Sequence, residues 1–176
     1  STAENILHLL RPDNEYTETE AKTLDLALIL HAEHGGGNNS TFATRVLSSS
    51  GTDTYAAISA GIGSLKGPKH GGANRKVAEM VEYFRAHCSD ITDKEQVADY
   101  IKKIYRKEGG DGTGLVYGVG HAVYTLSDPR AEILRKKATA FAMGTEFEEE
   151  LKLLNHIADL APVLFKEVTG KDKPMC

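Results

Sequence analysis

The sequence predicts a mainly α-helical, multi-helical fold. Three observations carry this. Apolar residues recur at helical spacing in nearly every long segment. The tetrads Thr17–Glu20 and Thr92–Glu95 have the spacing of capping boxes, which open helices. Only two short stretches, GLVYG at 114–118 and HAVY at 121–124, read as strands.

The elements follow in order. After Thr17, Leu24, Ala27, Leu28 and His31 form one stripe, and Leu26, Ile29 and Leu30 form another. A helix apolar on two sides is predicted to be buried. Gly35, Gly36 and Gly37 end it. Asn39 or Ser40 is expected to cap a second helix running to Ser49, and Asp53 a third. In that third helix Ala56, Ala60 and Ser64 recur every four residues, beside Ala57 and Gly61. Such small faces let another helix approach closely, as core or as a subunit seam. Gly67-Pro68 stops it.

A further helix spans about 71–87, and Val97, Ile101, Ile104 and Tyr105 give the stripe of the next. KEGGDGTG reads as a flexible turn. Asp128-Pro129 reads as an N-cap followed by the first helical residue. The last long helix is placed at 145–168, with Pro162 inside and Gly170 beyond.

Bulk properties narrow the function. The 176 residues carry a net charge of −4, which argues against a general nucleic-acid binder. No apolar run approaches the roughly 20 residues of a membrane span, and no signal peptide is expected from the opening residues. Two cysteines, Cys88 and Cys176, are too few for a disulfide framework. A reduced, cytoplasmic setting is the expectation.

The candidate chemistry lies in three histidines beside glycines: His34 in HAEHGGG, His70 in GPKHGGAN and His121 in GVGHAV. Glycine lets backbone N–H groups come close to a ligand. An imidazole at a helix start can donate to a carbonyl oxygen. His70 and Asn74 are one turn apart and able to face one ligand. Arg130 offers a planar fork for a carboxylate. Each feature also has a plain structural reading: a histidine cap, a helix start, a solvated face for EFEEELK. His31 and His34 do not form an H-E-x-x-H pair, and no metal is expected. GVGHAV lacks the third glycine of a dinucleotide fingerprint. Residue types and spacing alone leave an α-helical protein that binds a small anion.

Taken together, ILHAEHGGGNNSTFATRVLSSSGTDTYAAISAGIGSLKGPKHGGAN and GLVYGVGHAVYTLSDPRA resemble citrate synthase in order, spacing and local context. The resemblance implies a citrate synthase-like fold truncated at both ends. It assigns residues 1–70 to large-domain helices and 71–176 to an incomplete small domain. It implies catalytic roles for His70, which hydrogen-bonds the thioester oxygen of acetyl-CoA, and for His121, which polarises the ketone of oxaloacetate. It implies substrate binding by His34 and Arg130, and a backbone segment lining the CoA site at Val116, Tyr117, Gly118, Val119 and Gly120. The implied enzyme is an acyltransferase of the tricarboxylic acid cycle that condenses acetyl-CoA with oxaloacetate and hydrolyses citryl-CoA. It is a homodimer with no permanently bound cofactor and no nucleic-acid or membrane partner.

Thr125 stands where the family often has Arg or Lys, and no N-x-D-F/Y motif supplies the family's catalytic aspartate. Asp172 has other surroundings and is not given that role. The isolated chain is therefore expected to be inactive. A 2-methylcitrate synthase using propionyl-CoA is the close alternative, and a non-catalytic helical interaction module a more distant one.

Overall fold

A computed structural model describes residues 1–32, 37–120 and 128–171. Among these residues there are eight helices and no strand. They fall into two compact units, Ser1–Leu65 and Lys66–Cys176.

The first unit holds α1 (Thr2–Leu10), α2 (Glu18–His31), α3 (Asn39–Ser48) and α4 (Thr54–Leu65). Helix α1 opens on a capping box of Ser1 and Glu4. Helix α2 opens on the predicted box: the Thr17 side chain accepts from Glu20 N–H, and the Glu20 carboxylate accepts from Thr17 N–H at 2.7 Å. Arg11 then reaches the same carboxylate through two nitrogens, at 2.5 and 3.2 Å, and pins α1 on α2. That guanidinium, with the Thr17 groups, holds the Glu20 carboxyl down at about 2.

The expectation of a buried α2 is corrected here. Only Ala21 is buried, and Ile29 is 63% exposed. Periodicity reports which faces are apolar, but a face is buried only where a neighbour covers it, and α1 covers one. The cap of α3 also moves: Asn38, one residue earlier than expected, accepts from Thr41 N–H at 2.7 Å. Asp53 caps α4 as predicted, accepting from Ala56 N–H at 3.0 Å.

The small residues of α4 are used against α3. Ala57 and Gly61 are buried, and a Cβ on Gly61 would stand 2.5 Å from Thr44 Oγ1. Asn39 also donates to Ser64 Oγ at 2.9 Å. Ala57 and Gly61 are thus core of this helix pair, whereas Ala56, Ala60 and Ser64 are half-buried. What α4 exposes is a different face, Tyr55, Ile58, Ile62 and Leu65, spaced three or four residues apart.

The second unit holds α5 (Ala73–His87), α6 (Lys94–Tyr105), α7 (Pro129–Ala142) and α8 (Glu148–Thr169). Its core is continuous. Met80, Val81 and Phe84 of α5 meet Val97, Tyr100, Ile101 and Ile104 of α6 and Leu153, Ile157, Ala161 and Leu164 of α8. Phe84 stands edge-on to Tyr100, with ring centroids 4.9 Å apart, a favoured aromatic geometry. Asp93 caps α6 rather than Thr92, accepting from the N–H groups of Glu95 and Gln96. The Thr92 side chain instead donates to Asp90. Gly170 ends α8 in the left-handed conformation (φ 66°) that glycine adopts without a Cβ clash.

Candidate functional site

His70 lies in a tight turn at the head of α5. His70 N–H and Gly71 N–H both donate to the Gly67 carbonyl, each at 3.0 Å. The turn folds so closely that a Cβ on Gly72 would collide with the Pro68 carbonyl oxygen. Pro68 and Gly72 thus fix the backbone on either side of His70, which is half-buried. Gly72 N-caps α5 without a side chain, leaving the first-turn N–H groups uncapped beside it. Asn74, in that first turn, is exposed.

The glycine segment Val116–Gly120 leaves the core and returns to α5. Val116 is buried at 5% exposure, and Tyr117 and Val119 pack against the core. Gly118 and Gly120 have φ of 83° and 89°, which side chains rarely adopt. A Cβ on Gly118 would come within 3.2 Å of Val77 Cγ2. The structure therefore brings this segment against the first turns of the helix that His70 precedes. The predicted strand at GLVYG is a turn instead. Its positive-φ glycines, Gly114 and Gly118, interrupt extended pairing.

KEGGDGTG, expected to be flexible, is held. The Asp111 carboxylate accepts from Thr113 N–H (3.1 Å), Thr113 O–H (2.6 Å) and Tyr117 O–H (2.6 Å), and pairs with Lys76 Nζ (3.3 Å). The Thr113 hydroxyl, then the Tyr117 phenol, hold this carboxyl well below the usual range. Gly110 N–H donates to Tyr100 O–H at 3.2 Å. The D-x-T spacing of an Asx turn was the sequence signal that could have found this.

Arg130 sits at the head of α7, behind the predicted Asp128 cap and Pro129. Its guanidinium forks onto Asp128, with Nε 3.0 Å from Oδ1 and Nη2 2.7 Å from Oδ2. The side chain is 30% exposed. Asp128 fixes the plane of the fork through one of its edges. His34, His121, Thr125 and Asp172 lie outside the described residues, as does HAVY. His31, the neighbour of the first, is exposed, and its Nδ1 lies 2.7 Å from the Ala27 carbonyl oxygen.

Comparison with known proteins gives a consistent result. A family model described as "Citrate synthase, C-terminal domain" matches residues 1–175. The citrate synthase of Haloferax volcanii is 41% identical over 138 residues, which are 78% of this chain and 33% of that protein. That of Acidithiobacillus ferridurans is 42% identical over 139 residues, 77% of this chain and 31% of that protein. The chain spans about a third of the length of these curated relatives. Among solved structures, citrate synthase from Pyrobaculum aerophilum superposes with a TM-score of 0.66 at 27% identity, covering 96% of this chain and 37% of that one. Citryl-CoA lyase from Hydrogenobacter thermophilus shares the fold, with a TM-score of 0.55 at 20% identity.

Proposed function

Since the chain belongs to the citrate synthase family, we propose that it carries the acyl-CoA and keto-acid groups of a condensing site, with acetyl-CoA and oxaloacetate as substrates. One observation carries this reading. The tight turn that presents His70 and the positive-φ glycine turn that leads to His121 both abut the start of α5. A donor and a segment able to let a cofactor approach the main chain then serve one substrate.

In this reading His70 donates a hydrogen bond to the thioester carbonyl oxygen while a base removes a methyl proton. The electron pair moves onto that oxygen to give an enolate held by the His70 hydrogen bond. The enolate carbon attacks the keto carbon of oxaloacetate, whose oxygen takes up the electron pair of its C=O bond and a proton from His121. Arg130, its plane set by Asp128, and His34 hold the acid. Water then cleaves the citryl thioester and releases CoA. Preorganised donors to a developing oxyanion are worth roughly 3–4 kcal/mol each. The family's base, an aspartate in N-x-D-F/Y, has no counterpart in the 176 residues. We assign the base to an aspartate supplied by a longer protein, and the chain alone is inactive. The whole enzyme acts as a homodimer in the cytoplasm.

The test is CoA release from acetyl-CoA and oxaloacetate. The chain alone should show background rates. Completed at both ends with the corresponding segments of a relative, the C-terminal one carrying the aspartate motif, it should turn over, and His70→Ala in that protein should lower kcat by about 10²-fold or more. Turnover by the chain alone overturns its proposed inactivity, and an undiminished kcat in His70→Ala overturns the role of that histidine. Faster turnover with propionyl-CoA would replace the acetyl-CoA assignment with that of a 2-methylcitrate synthase.

A further inference from the structure

The turn between α6 and the glycine segment is tied to α5 at a point the condensation chemistry does not require. Asp111 is the hub. One of its oxygens receives both Thr113 donors, and the other receives the Tyr117 phenol and faces the Lys76 ammonium. The Lys76 Nζ also stands 5.7 Å from the centroid of the Tyr117 ring. Asp111 is largely shielded, with its side chain 17% exposed, whereas Lys76 is 43% exposed. Tyr117 immediately precedes Gly118, where an added Cβ would stand 3.2 Å from Val77, the residue after Lys76. Lys76 thus reaches Tyr117 through the shared Asp111 carboxylate, and the next residue, Val77, leaves no room for a side chain at Gly118.

The need for such a tie follows from the backbone. Gly114, Gly118 and Gly120 all have positive φ, in a run that glycine leaves free to sample many conformations. Without an external tie, ordering this run would be charged to cofactor binding. A carboxylate with several charge-assisted or hydroxyl partners is a strong tie. Glu79 also pairs with Lys76, at 3.1 Å, but lies on the same helix and reaches nothing in the turn.

We propose that Asp111 is a positioning residue for the acyl-CoA segment: through Tyr117 and Lys76 it holds Val116–Gly120 in register with the head of α5, and so with His70. This rests on the acyl-CoA reading of that segment. Lys76 assists, and Asp111 itself touches no substrate.

Three measurements on the 176-residue chain test it: amide hydrogen exchange over 113–120, acetyl-CoA affinity by calorimetry, and exchange over α6 and α8. Asp111→Asn should speed exchange over 113–120 and weaken acetyl-CoA binding, each about tenfold, with α6 and α8 unchanged. Lys76→Met should move both readouts the same way by less, and Lys76→Arg should restore them. Glu79→Gln should behave as wild type. Wild-type affinity in Asp111→Asn overturns the proposal. So does loss of protection that spreads to α6 and α8 in proportion to the lost affinity, because a merely structural carboxylate would do that. A wild-type chain that shows no acetyl-CoA affinity, with exchange still responding as expected, overturns the acyl-CoA reading and the positioning role with it, leaving only a turn staple.

Discussion

Tyr105 is the clearest case in which a single side chain reports on its surroundings. It lies at the end of α6 at 8% exposure, and its phenol donates to the Ala161 carbonyl of α8 at 2.9 Å. Burial pushes the phenol up to about 12. The unfolded phenol ionises near 10, so this group contributes stability that is fully present below pH 10 and is lost as pH rises through about 12. Tyr105→Phe should cost about 1 kcal/mol at neutral pH, the net worth of one such hydrogen bond. It should also flatten the alkaline limb of the stability curve, and denaturant melts at pH 7 and pH 11 would show both. Gly118 makes the opposite point, since what matters there is the absence of a side chain. Gly118→Ala must place a Cβ 3.2 Å from Val77 at φ 83°. Strain of this kind costs on the order of 1–3 kcal/mol. Acetyl-CoA affinity, measured by calorimetry, should fall with it by tenfold or more.

Helices, as elements, were legible where the signal is local and less so where it depends on neighbours. The Thr17 box, the Asp53 and Asp128 caps and the Gly170 stop are side-chain-to-backbone events within a few residues, and they occur as read. Asn38 and Asp93 displaced the expected caps by one residue each. Adjacent residues of similar capping chemistry differ only in backbone geometry, which spacing does not encode. Burial of α2 and the small-residue stripe of α4 were misjudged or left open for a different reason: both depend on which helix lies alongside. At the site, the glycines flanking His70 were legible from residue types, whereas GLVYG read as a strand because its β-branched and aromatic residues outweighed the positive-φ glycines that break it. The Asp111 tie was not legible, because Lys76 lies 35 residues from its partner. Helix α8 carries the long-range core of its unit, with Leu153 and Ala161 fully buried and Ile157 nearly so. Leu153→Ala should therefore cost about 2–5 kcal/mol, whereas Val163→Ala, on a position 67% exposed, should stay within about 0.5 kcal/mol. Urea melts of the two variants, compared with wild type, measure the difference.

At the scale of the whole molecule, the two units differ in how much apolar surface they enclose. In Lys66–Cys176 a continuous cluster joins α5, α6 and α8. In Ser1–Leu65 the buried hydrophobic residues are Ala3, Ala21 and Ala57 alone among the described residues, while Leu9, Leu10, Ile29, Phe42, Tyr55 and Ile62 are each more than half exposed. Scattered exposed apolar residues are ordinary, but a contiguous face is not. Ile58, Ile62 and Leu65 form such a face, with Thr41, Thr44 and Arg45 of α3, around a shallow groove of about 330 Å³. The homodimer proposed for this family member would cover it. The chain should therefore self-associate in solution through the outer face of α4, and the small-residue face that packs on α3 should have no direct part in it. Ile62→Glu puts a charge on the outer face at a position 63% exposed in the single chain, so it should lower association without loss of helicity. Ala57→Glu forces a charge into the α3–α4 contact, where an unpaired buried carboxylate is strongly unfavourable, and should unfold the helix pair instead. Sedimentation across a concentration series, with circular dichroism on the same samples, separates the two effects. A wild-type chain that stays monomeric at high concentration, or an Ile62→Glu variant that associates as wild type does, would place the covering surface elsewhere.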